Sequence, residues 1–133
     1  MNPYAAARAA YTESSVLTAT PERLVVMLYD GAIRFLYAGA AAAREGRRDV
    51  ARDRLRRAQA VIDELNRSLD MSQGEIARNL RDIYSFCSRH LIESTLNANP
   101  AGYEEVARLL SELREAWDQS STQLAAAAAA ASS

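Results

Sequence analysis

Lysine is absent from this 133-residue chain, and all 16 of its basic side chains are arginine. Chemistry that needs a Schiff-base lysine or a phosphate-loop lysine is therefore closed to it. There is one cysteine, Cys87, and one histidine, His90. A lone cysteine forms no intrachain disulfide and a zinc site lacks its ligands, so a reducing cytoplasm is the expected location. A carboxylate-bridged metal pair in a helical bundle needs Glu-x-x-His on two helices, whereas the only order here is His90-x-x-Glu93. No metal and no cofactor are expected. Cys87 and His90 could share a helix face as a thiolate and imidazole pair, but mid-helix positions offer no free backbone amides to hold an oxyanion. Cys87 is expected as a small core residue and His90 near the edge of the seam, with no catalysis. Five glycines and three prolines, Pro3, Pro21 and Pro100, are too few for the turns of a β-sandwich. No uncharged apolar run of about 18 residues occurs, and the start of the chain lacks a basic stretch followed by an apolar one. Neither stable membrane insertion nor a Sec-type signal is expected. A net charge of −1 argues against a globally basic nucleic-acid binder.

What is present favours helix. Of the 49% hydrophobic residues many are alanine, with an unbroken run at 125–131. Thr20, Pro21 and Glu22 are cap, first-turn and dipole-matched residues in order, so a helix is predicted from Pro21. Over 21–44 it is apolar on three lines, two of them led by Leu24, Leu28 and by Val25, Tyr29, the third made of Val26, Ile33 and Tyr37. Asp30 and Arg34 are spaced to pair across one turn. Gly46 marks a turn and Asp49 a cap for a second helix over 49–70, with a seam of Ala51, Leu55, Ala58, Ile62, Leu65 and Leu69. A third, over 75–97, carries Ile76, Leu80, Ile83, Cys87 and Leu91, plus a second apolar set of Tyr84, Phe86, Ile92 and Leu96. Asn97 to Pro100 breaks it. The fourth, over 101–124, presents Tyr103, Val106, Leu110, Leu113, Trp117 and Leu124.

This predicts an all-α protein: an antiparallel up-down-up-down four-helix bundle over 20–124, a segment at 1–19 packing on it, and an alanine-rich tail at 125–133. The tail carries no distinctive side chain, so truncation after Leu124 is predicted to be nearly neutral. The first helix has more apolar circumference than three neighbours cover; the expected cover is either the N-terminal segment, with Tyr4, Tyr11, Val16 and Leu17, or another protein, each at different times. Tyr29 and Tyr84 suit either a contact surface or a core that supplies a partner for each hydroxyl. Leu28 and Trp117 are expected in the core. Arg44 to Arg57 is a cluster of seven arginines against Glu45, Asp49 and Asp53. It reads as a solvated face with pairs such as Asp53 with Arg57 and Glu45 with Arg48, the alternative being an adaptor that grips nucleic acid or an acidic partner. No aromatic lies inside the cluster to stack a base.

The stretch Asn2-Pro3-Tyr4, Tyr11, Thr18-Ala19-Thr20-Pro21-Glu22 and Leu24 to Leu36, with Asn97-Ala98-Asn99 and Leu113 to Trp117, resembles the flagellar secretion chaperone family FliS over about residues 2 to 120. The resemblance implies a cytoplasmic helical bundle that binds the C-terminal segment of flagellin, prevents its early polymerisation and aids its delivery to the type III export apparatus. It also implies pairing with the cytoplasmic domain of the export gate, and dimers in some members. The residues expected to meet the partner are Tyr11, Val16, Leu17, Met27, Tyr29, Ile33, Tyr84 and Leu91.

Overall fold

The computed structural model describes residues 21–119 and 121–132, leaving out the side chains of 118–124. Thr20 and the 1–19 segment, with Tyr4, Tyr11, Val16 and Leu17, lie outside the described residues. Among those described, every regular element is helical: α1 (Pro21–Arg44), α2 (Arg48–Arg67), a 3-10 turn (Met71–Gln73), α3 (Glu75–Leu96), α4 (Pro100–Gln119) and α5 (Ser121–Ser132). The all-α class read from composition is the class observed.

By length and composition α1 could cross a membrane. Here its apolar surface faces protein: Leu24, Met27, Leu28, Ala32, Leu36 and Ala40 are all in the core. It packs between α2 and α4, while α3 packs on the other sides of the same two helices. Val25 near the start of α1, Leu65 near the end of α2, Leu80 near the start of α3 and Trp117 near the end of α4 line one cavity. Along α1 and α4 the ion pairs Asp30 with Arg114 and Arg44 with Glu104 run in opposite directions. α4 therefore runs antiparallel to α1. Leu28, Leu36, Ile62, Leu91, Leu110 and Leu113 meet in the core, almost fully buried. Each such side chain stabilises the fold by about 1.5–3 kcal/mol.

The junctions depart from expectation in three places. Arg47 N–H donates to Ala42 C=O and Gly46 N–H to Ala43 C=O, which closes α1 with Gly46 at φ +76°. The chain re-enters a helix at once, so α2 starts at Arg48 without a side-chain cap, and Asp49 falls in its first turn. The same tight turn gives Glu45 to Arg47, at 3.3 Å, rather than to Arg48. α2 also ends early, at Arg67, because Asp70 caps a separate 3-10 turn through Ser72 N–H at 3.0 Å. The α3–α4 junction repeats the first turn's bonding, Asn99 N–H to Ser94 C=O and Ala98 N–H to Thr95 C=O, with Ala98 at φ +50° where glycine is usual.

The third departure is at the C-terminus. The alanines are not an idle tail: they form α5, which packs against α3 and α4, with Ala128 fully buried and Ala127 against the core. Alanine both favours helix and lets two backbones approach closely, so a helix without large side chains still finds a seat. Truncation after Leu124 is therefore expected to destabilise the protein by about 1–2 kcal/mol, from the methyl groups lost and the α3 surface uncovered. An unchanged urea midpoint for the 1–124 chain would show that α5 contributes nothing.

Candidate functional site

Four of the expected contact residues are interior. Met27 is 3% exposed, Tyr29 0%, Tyr84 2% and Leu91 1%. Met27 and Tyr29 are both in the core, with no surface to offer in this conformation. Tyr84 and Leu91 are core residues whose flanks reach a cavity and a groove respectively. Ile33 is half-buried against the core. Leu28 and Trp117 pack inward as expected. Tyr11, Val16 and Leu17 lie outside the described residues.

Tyr29 and Tyr84 are inside because they satisfy each other. Their hydroxyl oxygens are 2.5 Å apart and their rings 6.4 Å apart between centroids. Burial pushes the Tyr29 phenol up to about 12, with the bond from Tyr84 and the neighbouring Trp117 indole pulling the other way. Burial likewise pushes Tyr84 well above its ordinary value, and the Tyr29 hydroxyl adds to this. The Trp117 N–H is itself buried and falls short of hydrogen-bond geometry with any described residue. Tyr29→Phe should cost about 1–3 kcal/mol, because the Tyr84 hydroxyl is left buried and alone, whereas adding Tyr84→Phe should recover most of the loss. A double-mutant cycle in urea checks this; additive losses would exclude a paired hydroxyl.

Two concave features stand out among the described residues. A cavity of about 500 Å³ opens where the chain enters α1, between Val25, Leu69, Ile76 and Trp117, with Glu22, Asp70 and Gln73 at its edge. A shallower groove of about 470 Å³ lies between α2 and α3 toward the other end of the bundle. Leu55, Ala60, Leu91, Ile92 and Leu96 make its apolar lining, and Arg52 and Arg56 flank it. Ile92 is 58% exposed and Leu96 80%. The reason is geometric. Leu91 continues the seam of α3 and points inward, so Ile92 and Leu96, one line further round the helix, face out beside α2.

The arginine cluster is largely paired within itself. Arg54, Arg56 and Arg57 all bind the Asp53 carboxylate, the last two at 2.9 Å. The Arg57 guanidinium, foremost among these, holds Asp53 below the usual carboxylate range. Arg44 leaves the cluster to form a two-pronged pair with Glu104, at 2.6 and 2.7 Å. The expected Asp53–Arg57 pair is thus present in a larger network. Asp30 is held by Arg114 at 2.7 Å, a link across helices that spacing within α1 does not suggest.

Cys87 is fully buried, and burial pushes its thiol up to about 12. That is opposite to what a thiolate nucleophile requires. His90 does not orient it: its ring bonds Glu105 at 2.7 Å and stacks on Phe86. Among the described residues no cluster of His, Cys, Asp and Glu is placed to hold a metal ion.

The geometry is thus that of a helical protein whose open feature is an apolar groove. The family model described as "Flagellar protein FliS" matches residues 3–124. The chain belongs to the FliS family. Among its relatives, the flagellar secretion chaperone FliS of Salmonella typhimurium is 37% identical over 109 residues, 80% of this chain and 81% of that protein. The FliS of Bacillus subtilis is 31% identical over 118 residues, 89% of this chain and 85% of the relative. That of Vibrio cholerae is 33% identical over 108 residues, 80% and 79% respectively. As a FliS-family member the chain is a flagellar secretion chaperone by descent, and chaperone rather than enzyme is the family's character. The match stops at residue 124, so the alanine portion of α5 lies beyond it.

Sequence reasoning passed over Ile92 and Leu96 as site residues. Their signal was present, as a second apolar line on α3 that the seam had no use for. It gave no site because periodicity does not say which side of a helix is left unpartnered.

Proposed function

We propose that this protein is the cytoplasmic export chaperone of flagellin. It binds the flagellin C-terminal segment, keeps that segment from polymerising early and carries it to the flagellar type III export apparatus, where the cytoplasmic domain of the export gate receives the pair. The observation that carries this reading is the α2/α3 groove, in which Ile92 and Leu96 stand exposed on a chain of this family. A segment that folds on binding loses about 2–5 kcal/mol of the gross interaction to ordering, so its apolar stripe needs a long apolar seat. The groove, helical on both walls, suits a helix laid along it.

The N-terminal segment is part of the same proposal. Val26 is buried at 4% but lies outside the central core cluster, on the α1 line shared with Ile33 and with Tyr37, which is 43% exposed. We assign Tyr11, Val16 and Leu17 to this face as cover, and a client that extends from the α2/α3 groove onto α1 takes their place. Deleting residues 1–17 should increase binding of an apolar dye and change client affinity; a deletion that altered neither would end the competition idea.

The decisive experiment is calorimetric titration of the full chain with the flagellin C-terminal segment of its own organism. Saturable one-to-one binding with a negative heat-capacity change is expected, the mark of apolar burial. Heat that does not saturate at micromolar concentrations would refute the assignment. Ile92→Asp should weaken binding at least roughly tenfold without unfolding the protein, because the side chain is exposed in the free state and desolvated in the complex.

A further inference from the structure

We infer that the α2/α3 groove selects a helix whose apolar stripe is edged by carboxylates gathered toward one end. This rests on the reading that the groove receives a protein segment, and it adds the chemistry of that segment. The groove is apolar along its floor but its rim is not uniform. Arg52 and Arg56 lie one helical turn apart on the α2 side, with side chains 74% and 75% exposed. Arg52 reaches Asp49 only at 4.0 Å, and Arg56, at 2.9 Å from Asp53, shares that carboxylate with Arg54 and Arg57. Three guanidinium groups on one carboxylate leave a local excess of positive charge that a second carboxylate, brought in by a ligand, would relieve.

Two helical turns beyond Arg56, the same rim carries Asp63, whose carboxylate accepts from Gln59 at 3.0 Å. One end of the groove therefore attracts acidic side chains and the other repels them. A docked helix obtains both its apolar contact and its direction from this arrangement. The strongly acidic helix of the chain itself, α4, turns Val106, Leu110 and Leu113 into the core. A second copy accordingly does not offer that helix as an apolar ligand, and the fitting occupant is a segment of another protein.

The test uses the full chain and two synthetic peptides of about 18 residues with the same leucine stripe, one edged at one end by glutamate and the other by lysine at the same positions. Fluorescence anisotropy at low salt should show the glutamate peptide binding roughly fivefold to tenfold tighter, with the gap narrowing as salt rises. Arg52→Glu with Arg56→Glu should reverse the order, Arg52→Ala with Arg56→Ala should abolish the preference, and Ile92→Asp should weaken both peptides. Circular dichroism confirms that each variant is folded. Equal binding of the two peptides, or binding of neither, overturns the inference. So does a dimer in sedimentation that the arginine variants disperse, since the groove would then serve a second copy. If the glutamate peptide binds as expected while the flagellin segment does not, this inference stands and the flagellin assignment falls. If the flagellin segment binds while the peptides show no difference, the reverse holds.

Discussion

Alkaline pH is expected to unfold this protein over a narrow range that begins near pH 9 and is complete before pH 12. Three buried groups carry the effect. The Cys87 thiol is raised from 9.0 to about 12, the Tyr29 phenol from 10.0 to about 12, and the Tyr84 phenol well above 10.0, in each case first of all by burial. In the folded chain all three keep their protons through this window. In the unfolded chain the thiol releases its proton from about pH 9 and the phenols from about pH 10. The unfolded state then binds fewer protons than the folded one, so stability falls as pH rises. Each group removes about 1.4 kcal/mol per pH unit, and the three together about 4, against a total stability of roughly 5–15 kcal/mol. Without lysine, the chain has no side-chain amines titrating in the same range. The part of the phenolate absorbance near 295 nm that is missing from the Tyr29→Phe with Tyr84→Phe variant should therefore rise together with the loss of helical circular dichroism. Ionisation of these phenols ahead of helix loss would contradict their burial. Cys87→Ala should make the fall shallower from pH 9, and Tyr29→Phe with Tyr84→Phe should make it shallower from pH 10.

Gly102→Ala should lower the melting temperature by roughly 10 °C, a loss of about 3 kcal/mol. Intrinsic preference points the other way, since alanine in place of glycine inside a helix is worth up to about 1 kcal/mol. Packing decides the sign. A Cβ at Gly102 would stand 1.8 Å from Ser94 Oγ and 2.6 Å from Ser94 Cβ. The first turn of α4 crosses the last turn of α3 at this point, and Ser94 is itself buried, its hydroxyl donating to the His90 carbonyl at 2.7 Å. Rotating the serine hydroxyl relieves the first contact but not the second, so one of the helices must shift. Ser94→Gly in the same chain should return part of the loss, which calorimetry of the two single variants and the double variant would show. A neutral Gly102→Ala would mean that the helices separate at this crossing without cost.

The parts of the structure readable from sequence were those governed by local chemistry. Pro21, Gly46, Glu75 and the Asn97 to Pro100 break each constrain a few neighbouring dihedral angles, and helix ends follow them closely. Seam residues such as Leu65, Ile83 and Leu110 were readable because one apolar line on a polar helix leaves a single way to pack. Two kinds of information were not local. α1 is apolar on several lines at once, so its period does not separate core from surface, and the burial of Met27 and Tyr29 was not legible in it. The Tyr29 hydroxyl meets one 55 residues away, and no spacing within a helix announces such a partner. The groove failed to appear for the same reason: Ile92 and Leu96 were visible as apolar, but their exposure depends on where α2 lies beside them. The alanine run was misjudged because volume was taken as the measure of packing, whereas Ala128 packs by bringing backbones close.

The seat of α1 between α2 and α4 sets a timetable for synthesis. This long apolar helix is made before both of its neighbours, and one of its two flanking walls begins only at Pro100, 56 residues after α1 ends at Arg44. At roughly 5–20 residues per second, translation leaves that side of α1 open for several seconds. During that interval the ribosome-bound chain presents a long apolar helix with a neighbour on one flank only. A nascent chain of this kind needs either a holding factor or some cover of its own until α4 arrives, and the stretch preceding α1 is already synthesised by then.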